Sequence, residues 1–145
     1  TEVFYNNISE LQTQFGDRAV LRAIHFFNED ARVVDEKNAI EGNNFAKFLE
    51  LVNKSGNSSY KYLQNTYSTS AVNEQGINVA LALTEKFLNG RGACRVHGGG
   101  FAGTIQCYIP SELIAEYKQM IEKVFGENSC YVLKIRPVGG YEIKL

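Results

Sequence analysis

The sequence predicts an α+β domain, with helices segregated from a largely antiparallel sheet. Three observations predict it. Through residue 89 the apolar residues recur at spacings of three and four, the period of helices packed by one face. At Gly90 the period changes to two. From there the order reads strand, strand, helix, strand, strand, a pattern that folds its strands together and lays a helix on them.

Phe4, Ile8 and Leu11 mark a first helical segment, which Gly16-Asp17 breaks while offering a cap to the next. From Asp17 to about Ile40 the stripe Val20, Ile24, Phe27, Ala31 and Val34 predicts a long second helix, interrupted by Gly42-Asn43. Phe45, Phe48, Leu49 and Val52 predict a third, ended near Ser55-Gly56. Tyr60, Tyr62, Leu63 and Tyr67 follow as a short helix and a loop through Ser70. Asn73 can cap a fourth long helix, whose face carries Ile77, Ala80, Leu81, Thr84 and Leu88. Ala93–His97 and Thr104–Ile109 alternate as strands, with Cys94, Val96, Ile105, Cys107 and Ile109 inward. Pro110-Ser111 starts a helix with Leu113, Tyr117, Ile121 and Val124 on one side. Tyr131, Leu133 and Ile135 predict a third strand, and Gly139-Gly140 a turn into a fourth at Tyr141, Ile143 and Leu145.

The composition is that of one ordinary globular domain. In 145 residues, 44% are hydrophobic and 21% charged, and 15 basic side chains face 16 acidic ones. That balance lacks the basic excess of a general nucleic-acid binder. No apolar run approaches the ~18 residues of a membrane span, and no stretch resembles a cleavable signal. Cys94, Cys107 and Cys130 form no C-x-x-C pair, so a zinc knuckle or a disulfide framework is not indicated, and a reducing, cytoplasmic setting is the expectation. The chain opens on Thr1 and shows no repeat or linker, which reads as a single domain, 1–145, of something longer.

The glycines are uneven: six of 13 fall within residues 90–103. Between the first two strands lies His97-Gly98-Gly99-Gly100-Phe101-Ala102-Gly103. A plain hairpin needs fewer glycines than this. Such a cluster implies positive φ angles or a close backbone approach. One reading is a nest of bare N–H groups for phosphate oxygens; the other is a turn that merely lets a strand cross a helix closely. No Asp or Glu occurs from Lys86 to Ser111, while Lys86, Arg91, Arg95 and His97 do, which favours an anion. The dinucleotide fingerprint is excluded, because a strand rather than a helix follows Gly103. The Walker loop is excluded for want of Gly-Lys-Ser/Thr.

Other candidates read more plainly. His25 sits beside the apolar stripe as a hydrogen-bonding flank residue, whereas His97 is a candidate phosphate donor. Cys94 and Cys107 pack as small hydrophobes. Tyr60, Tyr62 and Tyr67 read as a core edge or domain interface rather than a stacking surface. Phe26-Phe27 and Phe45/Phe48 read as core, and Glu29, Asp30, Asp35 and Glu36 as a solvated helix face without metal-ligand spacing.

Three stretches carry a family resemblance. Gly92-Ala93-Cys94-Arg95-Val96-His97-Gly98-Gly99-Gly100-Phe101-Ala102-Gly103 resembles the third motif of galactokinases, members of the galactokinase, homoserine kinase, mevalonate kinase and phosphomevalonate kinase superfamily. Arg22-Ala23-Ile24-His25-Phe26-Phe27-Asn28-Glu29-Asp30-Ala31-Arg32-Val33 is similar to their long-helix segment, and Ser55-Gly56-Asn57-Ser58-Ser59-Tyr60 with Tyr67-Ser68 to their serine-rich stretch. The resemblance covers residues 17 to 145. It implies a C-terminal domain with helices on a ferredoxin-like sheet, whose partner is its own N-terminal domain, the bearer of the catalytic residues. It implies a kinase that uses ATP and Mg2+ to phosphorylate a sugar, galactose to galactose 1-phosphate. His97, Gly98, Gly99, Gly100, Phe101, Ala102 and Gly103 would then line the nucleotide phosphates, with the Mg2+ ligands in the other domain. Family members carry Gly where Ala102 stands, and Thr or Ser where His97 stands. An inactive, kinase-derived sensing or interaction module is the alternative. This chain alone is expected to be inactive, and to self-associate through apolar surface left by an absent partner domain.

Overall fold

The computed structural model describes residues 1–101, 103–135, 137–139 and 142. Two short helices, α1 (Glu2–Asn6) and α2 (Ile8–Phe15), precede the long α3 (Asp17–Glu41). Gly16 makes the break with φ +80, and Asp17 is the first helical residue rather than the cap. Helix α4 (Phe45–Ser58) is capped by Asn44, whose side chain accepts from the Lys47 N–H at 3.0 Å. It does not end at Ser55-Gly56. It runs on into a π-turn, Ser59–Leu63, which Gln64 closes at φ +57 by donating its N–H to Ser59 O at 2.7 Å. Gly56 serves packing instead: a Cβ there would meet the Cys94 carbonyl and Arg95 Cβ, both at 3.1 Å. Helix α5 spans Gly76–Leu88, three residues past the expected Asn73 cap. A single 3-10 turn at Ser111–Leu113 leads into α6 (Ile114–Phe125).

Strands β1 (Ala93–Val96) and β2 (Ile105–Tyr108) pair antiparallel, with Cys94 opposite Cys107 and Val96 opposite Ile105. Among the described residues this two-stranded ladder is the whole sheet. The α+β class stands, with a sheet smaller than the sequence predicts. The third predicted strand, Tyr131–Ile135, is not one: those residues pair with no described strand and are exposed. Alternation marks a segment as able to pair but does not supply the partner edge. The fourth, Tyr141–Leu145, lies outside the described residues apart from Glu142.

The core is Ala39 of α3, Phe48, Leu51 and Val52 of α4, and Ala93 of β1, with Leu49 and Tyr108 packed against it. On the other side of the sheet the Tyr117 hydroxyl meets Thr84 Oγ1 at 2.8 Å and Cys107 Sγ at 3.3 Å, tying α6 and α5 to β2. Each aromatic pair contributes only one ring to the interior. Phe48 is buried and Phe27 half-buried, whereas Phe45 and Phe26 face outward.

Helix α3 departs most from its predicted stripe. Val20 is buried, but Ala31 and Val34 are exposed, and the inward line becomes His25, Glu29, Arg32, Glu36 and Ala39. Glu29 and Glu36 are therefore not on a solvated face, although Asp30 and Asp35 are. The helix turns a polar row inward because it meets polar partners there.

Candidate functional site

The glycine-rich segment is the connection from β1 to β2. The His97 N–H donates to Thr104 O at 3.1 Å and closes its base. Above that bond Gly98, Gly100 and Gly103 take φ of +62, +73 and +86, and Phe101 takes +50. Gly99 needs no positive φ, and Ala102 lies outside the described residues.

The close-approach reading of the glycine cluster holds at one position. Gly100 makes the close approach. A Cβ there would lie inside contact distance of Asn65 O, and 2.7 and 2.8 Å from its Nδ2 and Cγ. Asn65 stands just past the π-turn and holds the loop from two sides. Its carbonyl accepts the Phe101 N–H at 2.9 Å, and its Nδ2 donates to Gly99 O at 3.2 Å. By contrast, a Cβ at Gly98, Gly99 or Gly103 would meet nothing within 4 Å. The crossing that constrains this loop is with the segment after the π-turn, not with a helix body.

The remaining amides define the opportunity. The N–H groups of Gly98, Gly99 and Gly100 donate to no described residue, and Gly98 and Gly99 are exposed. The φ sign alternates across these three residues, the handedness pattern in which successive N–H groups line a concavity for an anion. His97 and Phe101 are exposed beside them, Phe101 at 54%.

Arg91 and Arg95 are engaged elsewhere. Arg91 donates to the carbonyls of Leu88 and Phe87 at the end of α5. Arg95 donates from Nε to Val96 O and pairs with Glu29 at 3.5 Å. What lines the concavity is backbone, not a cluster of cations.

Behind β1, the two other family-like stretches meet. The His25 Nδ1 lies 2.9 Å from Ser58 Oγ, and the Ser55 hydroxyl donates to Glu29. Glu29 also accepts from Arg32 and pairs with Arg95, so one carboxylate joins α3, α4 and β1. Burial pushes the His25 imidazole below its ordinary range, against the pull of Glu29. Burial raises the Glu36 carboxyl, which Arg95 opposes. His25 is thus a hydrogen-bonding residue as read, but inside the fold rather than on its flank. Cys94 is buried with its thiol pushed up to about 12 by desolvation, fitting a small hydrophobe. Tyr60 and Tyr62 are half-exposed at the π-turn.

Asn65 and Glu29 are the residues that sequence reasoning missed. Glu29 was signalled by the i, i+4, i+7 and i+11 spacing of His25, Glu29, Arg32 and Glu36, a polar row at helical period. Asn65 gave no local signal.

Comparison with known proteins agrees with the motif resemblance. The chain is 28% identical over 128 residues to a galactokinase of Glaesserella parasuis serovar 5 (strain SH0165), which is 88% of the chain and 31% of that protein. The chain is thus similar to galactokinases over most of its length. It is also 28% identical over 121 residues to a galactokinase of Actinobacillus pleuropneumoniae, 83% of the chain and 29% of that protein. The chain therefore spans about three-tenths of the length of these galactokinases. No family model matches the chain, and no solved structure matches it. Among the described residues, no helix is long and apolar enough to cross a membrane.

Proposed function

We propose that this chain is the C-terminal domain of a galactokinase-type sugar kinase, and that residues 97–103 form the phosphate-side wall of its nucleotide site. The observation that carries the reading is the run of three loop amides, Gly98 to Gly100, with no acceptor among the described residues. Phosphoryl transfer depends on positioning and on neutralising charge at the transferred group. Backbone donors held in place by the Asn65 clamp would supply both to ATP phosphate oxygens without any side-chain rearrangement. The similarity to galactokinases supports galactose as the acceptor, its hydroxyl being phosphorylated to galactose 1-phosphate in the whole protein.

Mg2+ would accompany ATP and supply neutralising charge for its phosphates. In this proposal its ligands come from the other domain. That domain would also supply the sugar contacts and the catalytic groups, leaving this chain inactive alone. Apolar side chains spaced seven apart on α3, Phe26, Val33 and Ile40, are all more than half exposed, which supports a larger assembly. A soluble cytoplasmic kinase is the setting that this reading implies.

Gly99→Ala tests it in the full-length parent enzyme. Gly99 has open space around its Cβ position and no positive φ, so the fold tolerates the methyl. The methyl stands where the phosphates would approach. The expected outcome is an unchanged melting temperature with kcat/KM for ATP lowered about tenfold, close to 1.4 kcal/mol. Unchanged kcat/KM would remove the loop from the nucleotide site.

A further inference from the structure

Cys94 on β1 and Cys107 on β2 stand directly opposite each other in the ladder. The bond from the His97 N–H to Thr104 O makes that end a hydrogen-bonded pair, and the pairs alternate from there. Arg95 with Gln106 and Ala93 with Tyr108 are therefore hydrogen-bonded pairs, and Cys94 with Cys107 is a non-hydrogen-bonded one. A second observation agrees. The Cys94 N–H turns away from β2 and donates to Asn53 Oδ1 at 3.1 Å, while Asn53 Nδ2 donates to Gly92 O at 3.3 Å.

That class of pair is the one that brings two side chains closest. Opposite residues share a face of the sheet, and at a non-hydrogen-bonded position their Cα atoms lie about 4.5 Å apart. Disulfides span Cα separations of roughly 4.4–6.8 Å, so this position accepts one without parting the strands. On the same face the Cys107 Sγ meets the Tyr117 hydroxyl at 3.3 Å. Burial raises both thiols, Cys94 to about 12, which keeps them protonated. Without an oxidant the pair rests reduced, as two small hydrophobes.

We propose that Cys94 and Cys107 form a reversible redox site, which a small-molecule disulfide such as oxidised glutathione closes into a cross-strand bond. Cys107 is half-buried and is the thiol within reach of the reagent, whereas Cys94 is only 4% exposed. The Cys107 thiolate attacks one sulfur of the reagent, forming a mixed disulfide and releasing one thiol. The Cys94 thiolate then attacks the Cys107 sulfur, forming the protein bond and releasing the second thiol. The two electrons lost by the cysteine pair reduce the reagent, and their two protons end on the released thiols. The bond pins the hairpin three residues below each end of the His97–Thr104 closure, at the root of the glycine-rich loop. It also removes the Cys107 S–H beside Tyr117, whose hydroxyl keeps Thr84 Oγ1 at 2.8 Å.

Equilibrating the folded 145-residue chain with oxidised and reduced glutathione, quenching in acid and mapping peptides by mass spectrometry tests the proposal. The expected product is a monomer with Cys94 joined to Cys107, both thiols lost together and both restored by dithiothreitol. Because the folded register holds the pair together, the equilibrium constant for closure should exceed that in concentrated urea at least tenfold. Cys130→Ser should close the same bond to the same extent. A folded chain that retains both thiols overturns the proposal, as does one that stops at a glutathione-capped Cys107 or joins Cys107 to Cys130. So does a closure constant no higher in the folded chain than in urea.

Discussion

Gly100→Ala separates the two reasons for glycine in this loop. At φ +73 an alanine costs roughly 1–2 kcal/mol, because its Cβ crowds its own backbone. At Gly100 the same Cβ also runs into Asn65, with Nδ2 and Cγ only 2.7 and 2.8 Å away and the carbonyl nearer still. Asn65 is 2% exposed and cannot retreat. The loop must lift, breaking the bonds from the Phe101 N–H to Asn65 O and from Asn65 Nδ2 to Gly99 O. Losing those two bonds, one of them leaving a buried carbonyl unpaired, adds about 1–3 kcal/mol. The total is about 3 kcal/mol. Gly98→Ala and Gly103→Ala, at φ +62 and +86 with open space around them, should cost only the backbone part, about 1 kcal/mol. Urea unfolding followed by circular dichroism reads all three. Equal losses at Gly100 and Gly98 would refute the close-approach argument.

Four further outcomes follow from the interior. The lowered His25 pKa means that the unfolded chain binds this proton more readily, so its contribution to stability is complete above 6.5 and is lost as pH falls below that; His25→Gln should flatten unfolding midpoints in that window. Glu36 works oppositely, since its raised pKa makes ionisation costly in the fold; its term improves as pH falls towards 4.5, and Glu36→Gln should raise the midpoint at neutral pH. Asn53→Ala strands the Cys94 N–H and Gly92 O and should cost about 1–3 kcal/mol in urea unfolding, whereas a loss under 0.5 kcal/mol would show that water replaces the carboxamide. With its thiol pushed up to about 12 and its side chain buried, Cys94 should alkylate only on unfolding; labelling at the rate of a free thiol in the native protein would contradict that burial.

Helix and strand order was legible because burial imposes a period on apolar residues, as at Val20, Ile77, Leu88 and Tyr117. The same rule failed where the buried residues are polar. On α3 it followed Ala31 and Val34 outward and passed over Glu29, whose burial is compensated by Ser55, Arg32 and Arg95 from three elements. Tyr131–Ile135 shows the converse, a strand pattern that pairs with no described strand. The glycine loop was legible as a site because its composition exceeds what a turn requires. Its clamp was not, since Asn65 is 34 residues from Gly99 and its role exists only in three dimensions.

In the proposed site Gly98, Gly99 and Gly100 present their amides to phosphate. Titrating the isotope-labelled chain with ATP, and separately with inorganic pyrophosphate, while following backbone amide resonances tests it most directly. The expected result is saturable shifts confined to those three amides and their neighbours, equal in pattern for both ligands and weaker in Gly99→Ala. Shifts centred elsewhere on the molecule, or none at these amides while ATP binds, would contradict it.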